Sequence, residues 1–385
     1  MRVLVVNAGS SSLKLRVLDE SDKVTGTADL PAPRDAADAE TMAAALTSLG
    51  DVDAVGHRIV HGGTWFTAPV KIDDTVLAKL QALTDLAPLH QPKSLAAVAA
   101  VQRARPGLPA VACFDTAFHA TIPAAAATYA LPREWRRRWA LRRYGFHGLS
   151  HSYCSRRATE LAGQGRIVTC HLGAGASLAA VRGGVSVDTT MGFTPLEGLV
   201  MATRSGSVDP GLVLWLEEHA GTPPAELATT LEHRSGLLGL AGTADMREVV
   251  ARAAAGERDA RLALDVYIHR LRAGIAAMAA SLGGLDVLAF TGGVGENSVA
   301  VRSEAAAGLG FLGVRLDAGR NAAPAGSGGP AGGGLAGGGA DREIGQAGAP
   351  VRSFVIAARE DIEIAGQVRA VLGAGRDERP GLPPG

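Results

Sequence analysis

The sequence predicts an α/β protein that contains a duplicated domain. Two segments far apart in the chain, at 3–18 and 167–188, share one arrangement: an apolar strand, a turn of small residues and a second strand. Stretches with apolar residues at helical spacing lie between many short apolar runs, which indicates mixed helices and strands. A length of 385 residues fits two or three domains rather than one.

Composition narrows the class of protein. Lys and Arg number 38 against 38 Asp and Glu, so the net charge is zero, which argues against a nucleic-acid partner. Cys113, Cys154 and Cys170 form no close pair, which predicts a reducing compartment without disulfides. The first apolar run stops at Asn7, and no run approaches the ~20 apolar residues of a membrane span. We therefore expect a cytoplasmic enzyme with no membrane partner.

The first strand, Val3 to Val6, is followed by the turn Asn7-Ala8-Gly9-Ser10-Ser11-Ser12 and by apolar residues at alternate positions from Leu13. Strand, turn, strand differs from the strand, loop, helix of a Walker P-loop. Such a hairpin can offer backbone N–H groups, hydroxyls and Lys14 to a phosphate. Taken alone, this segment favours the alternative of an ordinary polar β-turn.

Two further apolar runs end in glycines. The run 167–172 leads into Gly173-Ala174-Gly175, and the run 287–290 leads into a glycine loop over 291–297 that precedes a helix from about Ser298. A glycine loop at a helix N-terminus suits a phosphate or adenosine group, although a tight βα turn has the same pattern. Two hairpins and a helix start that could all bind phosphate favour a nucleotide enzyme.

Helices are predicted over 75–86, over 93–105 after Pro92, and over 258–282, the last packed against a sheet. The Gly/Ala/Pro-rich stretch 318–349 predicts a flexible surface loop. The C-terminal residues 376–385 predict a disordered tail.

Four clusters place reactive side chains beside these loops: His57, Arg58 and His61; Asp115 and His119; His147; Asp188 and Arg204. The pairs His57/His61 and His147/His151 have the i, i+4 spacing of a zinc site on a helix. Both pairs lack the Glu of HExxH and lie among glycines, which disfavours zinc. Structural histidines and ordinary ion pairs are the alternative for each cluster alone.

These residues belong to longer motifs, and through them the chain resembles the acetate kinase family, in the acetate and sugar kinase/Hsp70/actin superfamily. The motifs run in family order over roughly 1–373: VLVVNAGSSSLK, VGHRIVHGG, LAPLHQP, FDTAFH, YGFHGLSH, HLGAGAS, DTTMGFTPLEGLVMATRSGSVDP and TGGVGENS. The resemblance implies a duplicated ribonuclease-H-like (actin-like ATPase) fold, with two domains around a nucleotide cleft. It implies an N-terminal domain of 1–117 plus 361–375, and a C-terminal domain of 118–360 that holds nucleotide and forms a homodimer interface.

The resemblance also implies an activity. The expected reaction is reversible, Mg²⁺-dependent transfer of the ATP γ-phosphate to acetate, in line, which gives acetyl phosphate and ADP; Mn²⁺ is an alternative metal. Acetate is already ionised at pH 7, so we expect Asp115 to orient a metal, water or arginine rather than to remove a proton. Propionate or butyrate as acceptor remains an alternative, because one CH₂ is worth only ~0.8 kcal/mol. A nucleotide-binding relative with impaired catalysis is the other alternative.

By similarity, each site residue receives an expected role. The expected catalytic residues are Arg58, Asp115, His147 and Arg204, and the expected Mg²⁺ ligands are Asn7 and Glu360. Arg58 binds the substrate carboxylate, and the methyl pocket consists of Val60, Leu89, Phe146 and Pro195. The nucleotide is contacted by Lys14, His171, Leu172, Gly173, Ala174, Gly175, Asp245, Met246, Arg247, Gly292, Gly293, Val294, Gly295, Glu296 and Asn297.

The sequence departs from the family pattern in two places. The second phosphate loop reads HLGAG where HLGNG is usual, so Ala174 replaces an asparagine. Near the C-terminus, Ala358-Arg359-Glu360-Asp361-Ile362 replaces a segment close to TNEEL, with Glu360 retained.

Restoring the amide tests the first departure. A neutral hydrogen bond contributes about 0.5–1.5 kcal/mol, so Ala174→Asn is expected to lower the KM for ATP or raise kcat by a few fold. Steady-state kinetics of the two proteins measure this, and unchanged values of both constants would show that Ala174 does not weaken phosphate binding.

Overall fold

The computed structural model describes residues 1–8, 12–31, 38–87, 91–324 and 341–374. The strands in these residues are β1 (Val3–Ala8), β2 (Ser12–Leu18), β3 (Val24–Pro31), β4 (Ala54–Ile59), β5 (Val70–Lys71), β6 (Ala110–Phe114), β7 (Arg166–Leu172), β8 (Ala176–Arg182), β9 (Val185–Thr189), β10 (Val287–Thr291), β11 (Arg342–Glu343) and β12 (Arg352–Val355).

The helices are α1 (Asp38–Ser48), α2 (Asp74–Ala82), α3 (Gln91–Ala104), α4 (Ala124–Ala127), α5 (Arg133–Arg138), α6 (Gly148–Ala162), α7 (Pro210–Ala220), α8 (Pro224–His233), α9 (Gly236–Ala241), α10 (Met246–Ala254), α11 (Arg258–Leu282), α12 (Gly292–Asn297), α13 (Val299–Ala307), α14 (Ala318–Ala322) and α15 (Glu360–Ala374). Short 3₁₀ turns occur at Thr84–Leu86, Ala117–Thr121 and Gly310–Leu312.

The chain divides into two units. Unit one contains the described residues of Met1–Ala120, Gly148–Tyr153 and Arg359–Gly385, and unit two contains those of Thr121–His147 and Cys154–Ala358. The domain boundaries implied by the family resemblance remain a prediction.

Each unit contains one six-stranded sheet, and the two sheets have the same topology. The order is β3-β2-β1-β4-β6-β5 in unit one and β9-β8-β7-β10-β12-β11 in unit two. In both sheets the first three strands form an antiparallel meander, the next two add in parallel and the edge strand is antiparallel. Identical order and direction of six strands confirm the duplication that the sequence predicts.

The sheet of unit one is covered on both faces, as parallel strands require. Side chains alternate along each strand, so Leu4, Val6 and Ala8 of β1 join one core cluster beneath α1 and α3, together with Val55 and Ile59 of β4. The opposite face carries α15, which packs against β1, β4 and β6. This second face holds the polar residues of the candidate site.

Helix α11 is the main cover of the sheet in unit two. It runs over Arg258–Leu282, as predicted, and packs against β7, β8 and β9. Its buried side chains recur at three- and four-residue spacing, from Ala260 to Leu282, which is the apolar stripe of a helix that lies on a sheet.

Two predictions are corrected by the structure. Residues 292–297, predicted as a glycine loop, form the short helix α12. Gly292 takes a left-handed φ of +79°, which turns the chain after Thr291, whereas Gly293 and Gly295 have no positive φ and continue the helix. The stretch 318–349, predicted as a loop, contains α14 and the edge strand β11. Asp317 caps α14 by accepting from the backbone of Arg320. Residues 325–340 and the predicted tail 376–385 lie outside the described residues.

In the described residues, no helix has the length and apolarity that a bilayer span requires.

His57 is a buried polar residue in the core of unit one. It lies on β4 with 1% exposure, and neither ring nitrogen has a hydrogen-bond partner among the described residues. Burial lowers its pKa from 6.5 to about 3, so the ring is neutral in the folded protein.

This histidine predicts acid sensitivity. The unfolded chain binds a proton at His57 below pH 6.5 and the folded chain does not until about pH 3, so stability falls as pH falls through this window. One such group lowers the free energy of unfolding by about 1.4 kcal/mol for each pH unit below 6.5, which amounts to roughly 2 kcal/mol near pH 5. His57→Phe should flatten the dependence of thermal midpoint on pH, whereas His233→Phe, at an exposed histidine, should not. If the thermal midpoints of wild type and His57→Phe fell equally as the pH is lowered, His57 would not be the source of the acid sensitivity.

Candidate active site

The polar residues of unit one meet at the carboxyl ends of its parallel strands. Asn7 lies near the end of β1, Arg58 near the end of β4, and Asp115 directly after β6. The register pairs Val5 with Gly56, which puts Asn7 beside Arg58 on the same face. The Asp115 amide donates to the Ile59 carbonyl at 3.0 Å and so extends the ladder by one residue. Strand register alone therefore gathers these three side chains.

Arg58 and Asp115 form a buried ion pair. Nη2 of Arg58 lies 2.6 Å from Oδ2 of Asp115, and Nε lies 3.2 Å and 3.1 Å from the two carboxylate oxygens. The side chains are only 17% and 2% exposed. A forked pair of this kind fixes the plane of the guanidinium as well as its position.

Asn7 and Glu360 complete the cluster. Nη1 of Arg58 donates to Oδ1 of Asn7 at 3.0 Å, and Nδ2 of Asn7 donates to Oε2 of Glu360 at 3.0 Å. Glu360 is the first residue of α15, and its Oε2 lies 3.8 Å from Nε of Arg58. A Cβ at Gly56 would lie 2.4 Å from Cγ2 of Ile364, so the absence of a side chain there allows α15 to approach the sheet and bring Glu360 to Arg58.

The charges of this cluster support one another. Burial alone would lower the pKa of Arg58, but Asp115 and Glu360 outweigh it and raise that pKa above its ordinary value. Burial raises the pKa of Asp115, and the Arg58 guanidinium opposes that rise. Arg58 is therefore a permanently charged guanidinium with two acidic neighbours.

The other predicted residues of unit one are placed as follows. Lys14 lies directly opposite Asn7 in the β1–β2 ladder and is exposed. Val60 is buried just after β4. The hairpin turn at 9–11 and the predicted pocket residue Leu89 lie outside the described residues.

In unit two, the second phosphate loop lies against two histidines. The ring of His147 stacks on that of His171 with centroids 4.3 Å apart, and Nδ1 of His147 is 2.9 Å from Oγ of Ser177. A Cβ at Gly175 would lie 3.1 Å from Nε2 of His147, so the ring is in contact with the loop backbone. The loop itself closes by a bond from the Gly173 amide to the Gly175 carbonyl at 3.0 Å.

Arg204 joins this group. Its Nη1 would lie 3.6 Å from a Cβ at Gly175, and it donates to the Pro195 carbonyl at 3.3 Å. Burial lowers the pKa of Arg204, although an arginine remains charged at neutral pH. The predicted residues His147, Gly175, Pro195 and Arg204 are thus neighbours, and Phe146 is buried next to His147 in sequence.

Helix α12 lies beside the same loop. Thr291 of β10 pairs with His171 of β7, which places Gly292 next to Leu172. The Gly292 amide donates to Oε1 of Glu296 at 3.1 Å, and Nδ2 of Asn297 donates to the Gly293 carbonyl at 2.8 Å.

The predicted triplet Asp245, Met246 and Arg247 lies at the start of α10. Asp245 caps that helix, and the exposed Arg247 side chain forms an ion pair with it, which lowers the pKa of Asp245 to about 2. In the described residues, no hydrogen bond or ion pair connects this triplet to α12.

Sequence reasoning missed the residues that support these loops. Arg302 is fully buried and donates to the carbonyls of Gly295 and Glu296 at the end of α12, while Asn321 accepts from it. Arg143 and Glu197 join two motif segments. Glu197 lies inside a quoted motif and Arg143 directly precedes another, so their position next to predicted site residues was the available signal.

Comparison with known proteins identifies the family. A family model described as the acetokinase family matches residues 27–332, well over half of the chain. The chain belongs to the acetokinase family. Acetokinases are phosphotransferases that have a carboxyl group as acceptor and use ATP as substrate.

Several acetokinase relatives cover nearly the whole chain. Acetate kinase of Streptomyces coelicolor is 43% identical over 96% of this chain and 97% of that protein. Acetate kinase of Deinococcus deserti is 44% identical over 97% of this chain and 98% of that protein. The crystal structure of Porphyromonas gingivalis acetate kinase is 35% identical, covers 96% of this chain and 99% of that one, and has a TM-score of 0.85. The duplicated actin-like ATPase fold that the resemblance implies is thereby confirmed.

Proposed function

We propose that this protein is an acetate kinase, which reversibly transfers the γ-phosphoryl group of ATP to acetate and so yields acetyl phosphate and ADP. The observation that carries the proposal is the Arg58 cluster. A guanidinium that is buried, charged and fixed in orientation is a receptor for a small carboxylate. The near-full-length relatives named acetate kinase support the same conclusion.

Residues of unit one have the task of binding and orienting the acid. Arg58 binds the carboxylate, and Asp115 fixes the Arg58 fork rather than removing a proton, because the substrate is already an anion. Three of the five N–H donors of Arg58 are directed toward Asp115 and Asn7, which accounts for its orientation. Orientation of a preformed nucleophile contributes to phosphoryl transfer by proximity.

Residues of unit two have the task of stabilising charge on the phosphoryl group. Its equatorial oxygens carry negative charge in the loose transition state. His147 and Arg204 lie against the Gly175 backbone, so an imidazole and a guanidinium are both next to the loop. Donors fixed before the reaction stabilise such charge without reorganisation. The base side of the nucleotide is assigned to α12 and to Asp245, Met246 and Arg247.

The donor atoms of unit one fit Mg²⁺. Asn7 offers an amide oxygen and Glu360 a carboxylate, and their side chains are hydrogen-bonded to each other at 3.0 Å. Hard oxygen donors are what Mg²⁺ prefers, with water completing its shell, and Mn²⁺ accepts the same donors. When bound, the ion would neutralise phosphate charge. Among the described residues, no group of three His, Cys, Asp or Glu side chains is arranged to hold a metal ion.

The size of the acid depends on the predicted pocket residues Val60, Leu89, Phe146 and Pro195. Propionate as acceptor is the second candidate, because a propionate kinase from Francisella tularensis is 33% identical over 95% of this chain and 98% of that one, with a TM-score of 0.84. Since a CH₂ contributes only ~0.8 kcal/mol, activity on both acids is expected, with acetate preferred.

We also propose a homodimer that works in the cytoplasm. Helix α7 of unit two has no buried residue, and it exposes Leu212, Leu214 and Trp215. An exposed apolar patch on a helix supports an interface between copies of the chain. Sedimentation velocity of the full chain tests this, and a monomer at micromolar concentration would contradict it.

ATP-dependent acyl-hydroxamate formation tests the reaction. Wild type should give product with acetate, less with propionate and least with butyrate. Arg58→Gln should lower kcat/KM for acetate by roughly 100-fold, because a charged hydrogen-bonded contact to the acid is lost. Arg16→Gln is the matched control, because it removes an arginine on β2 that pairs with Asp29 of β3. Its kcat/KM for acetate should stay within about twofold of wild type.

Two outcomes would contradict the proposal. A larger kcat/KM for propionate or butyrate than for acetate would favour the second candidate. No product with any acid, from a protein that binds ATP, would indicate the catalytically impaired relative.

A further inference from the structure

A cluster of three side chains in unit two joins the segments that carry two predicted pocket residues. Glu197 accepts from Nη2 of Arg143 at 2.6 Å and from the hydroxyl of Tyr129 at 2.5 Å. Arg143 lies three residues before Phe146, and Glu197 lies two residues after Pro195. We call Tyr129, Arg143 and Glu197 the carboxylate clasp.

The clasp is continuous with backbone bonds between the same two segments. Nη1 of Arg143 donates to the carbonyls of Thr190 and Met191 at 3.1 Å and 3.0 Å. The Tyr144 amide donates to the Gly192 carbonyl at 3.0 Å, and the Phe193 amide donates to the Tyr129 hydroxyl at 2.9 Å. Segment 143–147 is therefore linked to segment 190–197 by hydrogen bonds of both the Arg143 side chain and the Tyr144 backbone, and Tyr129 adds two further bonds to segment 190–197.

The clasp leaves no room for a side chain at Gly192. A Cβ at Gly192 would lie 1.8 Å from Oε2 of Glu197 and 2.2 Å from the Tyr129 hydroxyl. Burial and the neighbouring Glu197 carboxylate raise the pKa of Tyr129, so the phenol keeps its proton and remains a donor. Glu197 thus accepts hydrogen bonds from two donors at once, which orients its carboxylate.

We propose that Glu197 is a positioning residue for acid specificity: through Tyr129 and Arg143 it fixes the spacing of Phe146 and Pro195, and so decides how large an acyl group is accepted. This inference rests on the proposed function, since it concerns the pocket of the same reaction. None of the three clasp residues has to touch the acid. A change of a few tenths of an ångström in a pocket for one methyl group alters the contacts of acetate more than those of a longer acid.

The structural alternative is that the clasp only stabilises unit two. That alternative predicts a lower thermal midpoint and an equal loss of activity on every acid. The positioning role predicts a change in the ratio of kcat/KM values for propionate and acetate, which a general loss of folded enzyme cannot produce.

The test uses the full-length protein with acetate, propionate and butyrate. Glu197→Gln keeps the shape of the side chain and removes its charge, and Tyr129→Phe removes one donor. Each should raise the KM for acetate about 5- to 10-fold and raise the propionate to acetate ratio by a similar factor, with the KM for ATP within twofold of wild type. Glu343→Gln is the matched control: Glu343 forms a forked pair with Arg352 at 2.8 Å and 2.9 Å on the edge strand β11. In Glu343→Gln, the ratio of kcat/KM for propionate to kcat/KM for acetate should remain at the wild-type value.

The outcomes separate the two proposals. An unchanged ratio in both clasp variants, from a wild type that is active on acetate, overturns the positioning role and leaves the proposed function intact. A wild type that is inactive on all three acids overturns both. If Glu197→Gln does not fold, the milder Tyr129→Phe decides the question alone.

Discussion

The buried ion pair between Arg58 and Asp115 is the constraint on which the candidate site depends. A guanidinium with little access to water is tolerated only where carboxylates and amide oxygens compensate its charge. Asp115, Glu360 and Asn7 meet that requirement, and each belongs to a different element of unit one. Parallel strand register supplies two of these groups and α15 supplies the third. The close packing of α15 on Gly56 is thus part of the same constraint.

Unit two applies the same topology to different chemistry. Its sheet repeats the strand order of unit one, and the carboxyl ends of β7 and β10 again carry the candidate residues. Here the strand ends lead to a glycine-containing loop and to α12, so the backbone itself can approach phosphate. The corresponding edge of unit one carries a guanidinium, two carboxylates and an amide instead, to which we assign the acid and the metal. The duplicated fold therefore supplies two sets of strand ends that carry different chemical groups.

Much of this arrangement follows from the sequence, because it depends on local patterns. Alternating apolar residues predict the hairpins, and the long apolar stripe of α11 predicts a helix on a sheet. The family motifs supplied the grouping of Asn7, Arg58 and Asp115, and parallel register explains it. Helix α12 was not predicted, because a glycine-rich sequence disfavours helix and the contacts of Gly292 and Arg302 that support it cannot be read from a local pattern. The carboxylate clasp was also missed, since its residues are 54 and 68 positions apart and no local pattern links them.

The central claim is that Asp115 acts through Arg58, and a double-mutant cycle on kcat/KM for acetate tests it most directly. The cycle compares wild type, Arg58→Gln, Asp115→Asn and the double variant, with thermal midpoints to verify folding. If Asp115 only orients Arg58, the double variant should be within about threefold of Arg58→Gln, because nothing remains for Asp115 to orient. Losses that multiply in the double variant would show that Asp115 acts on the reaction independently, which would contradict the account.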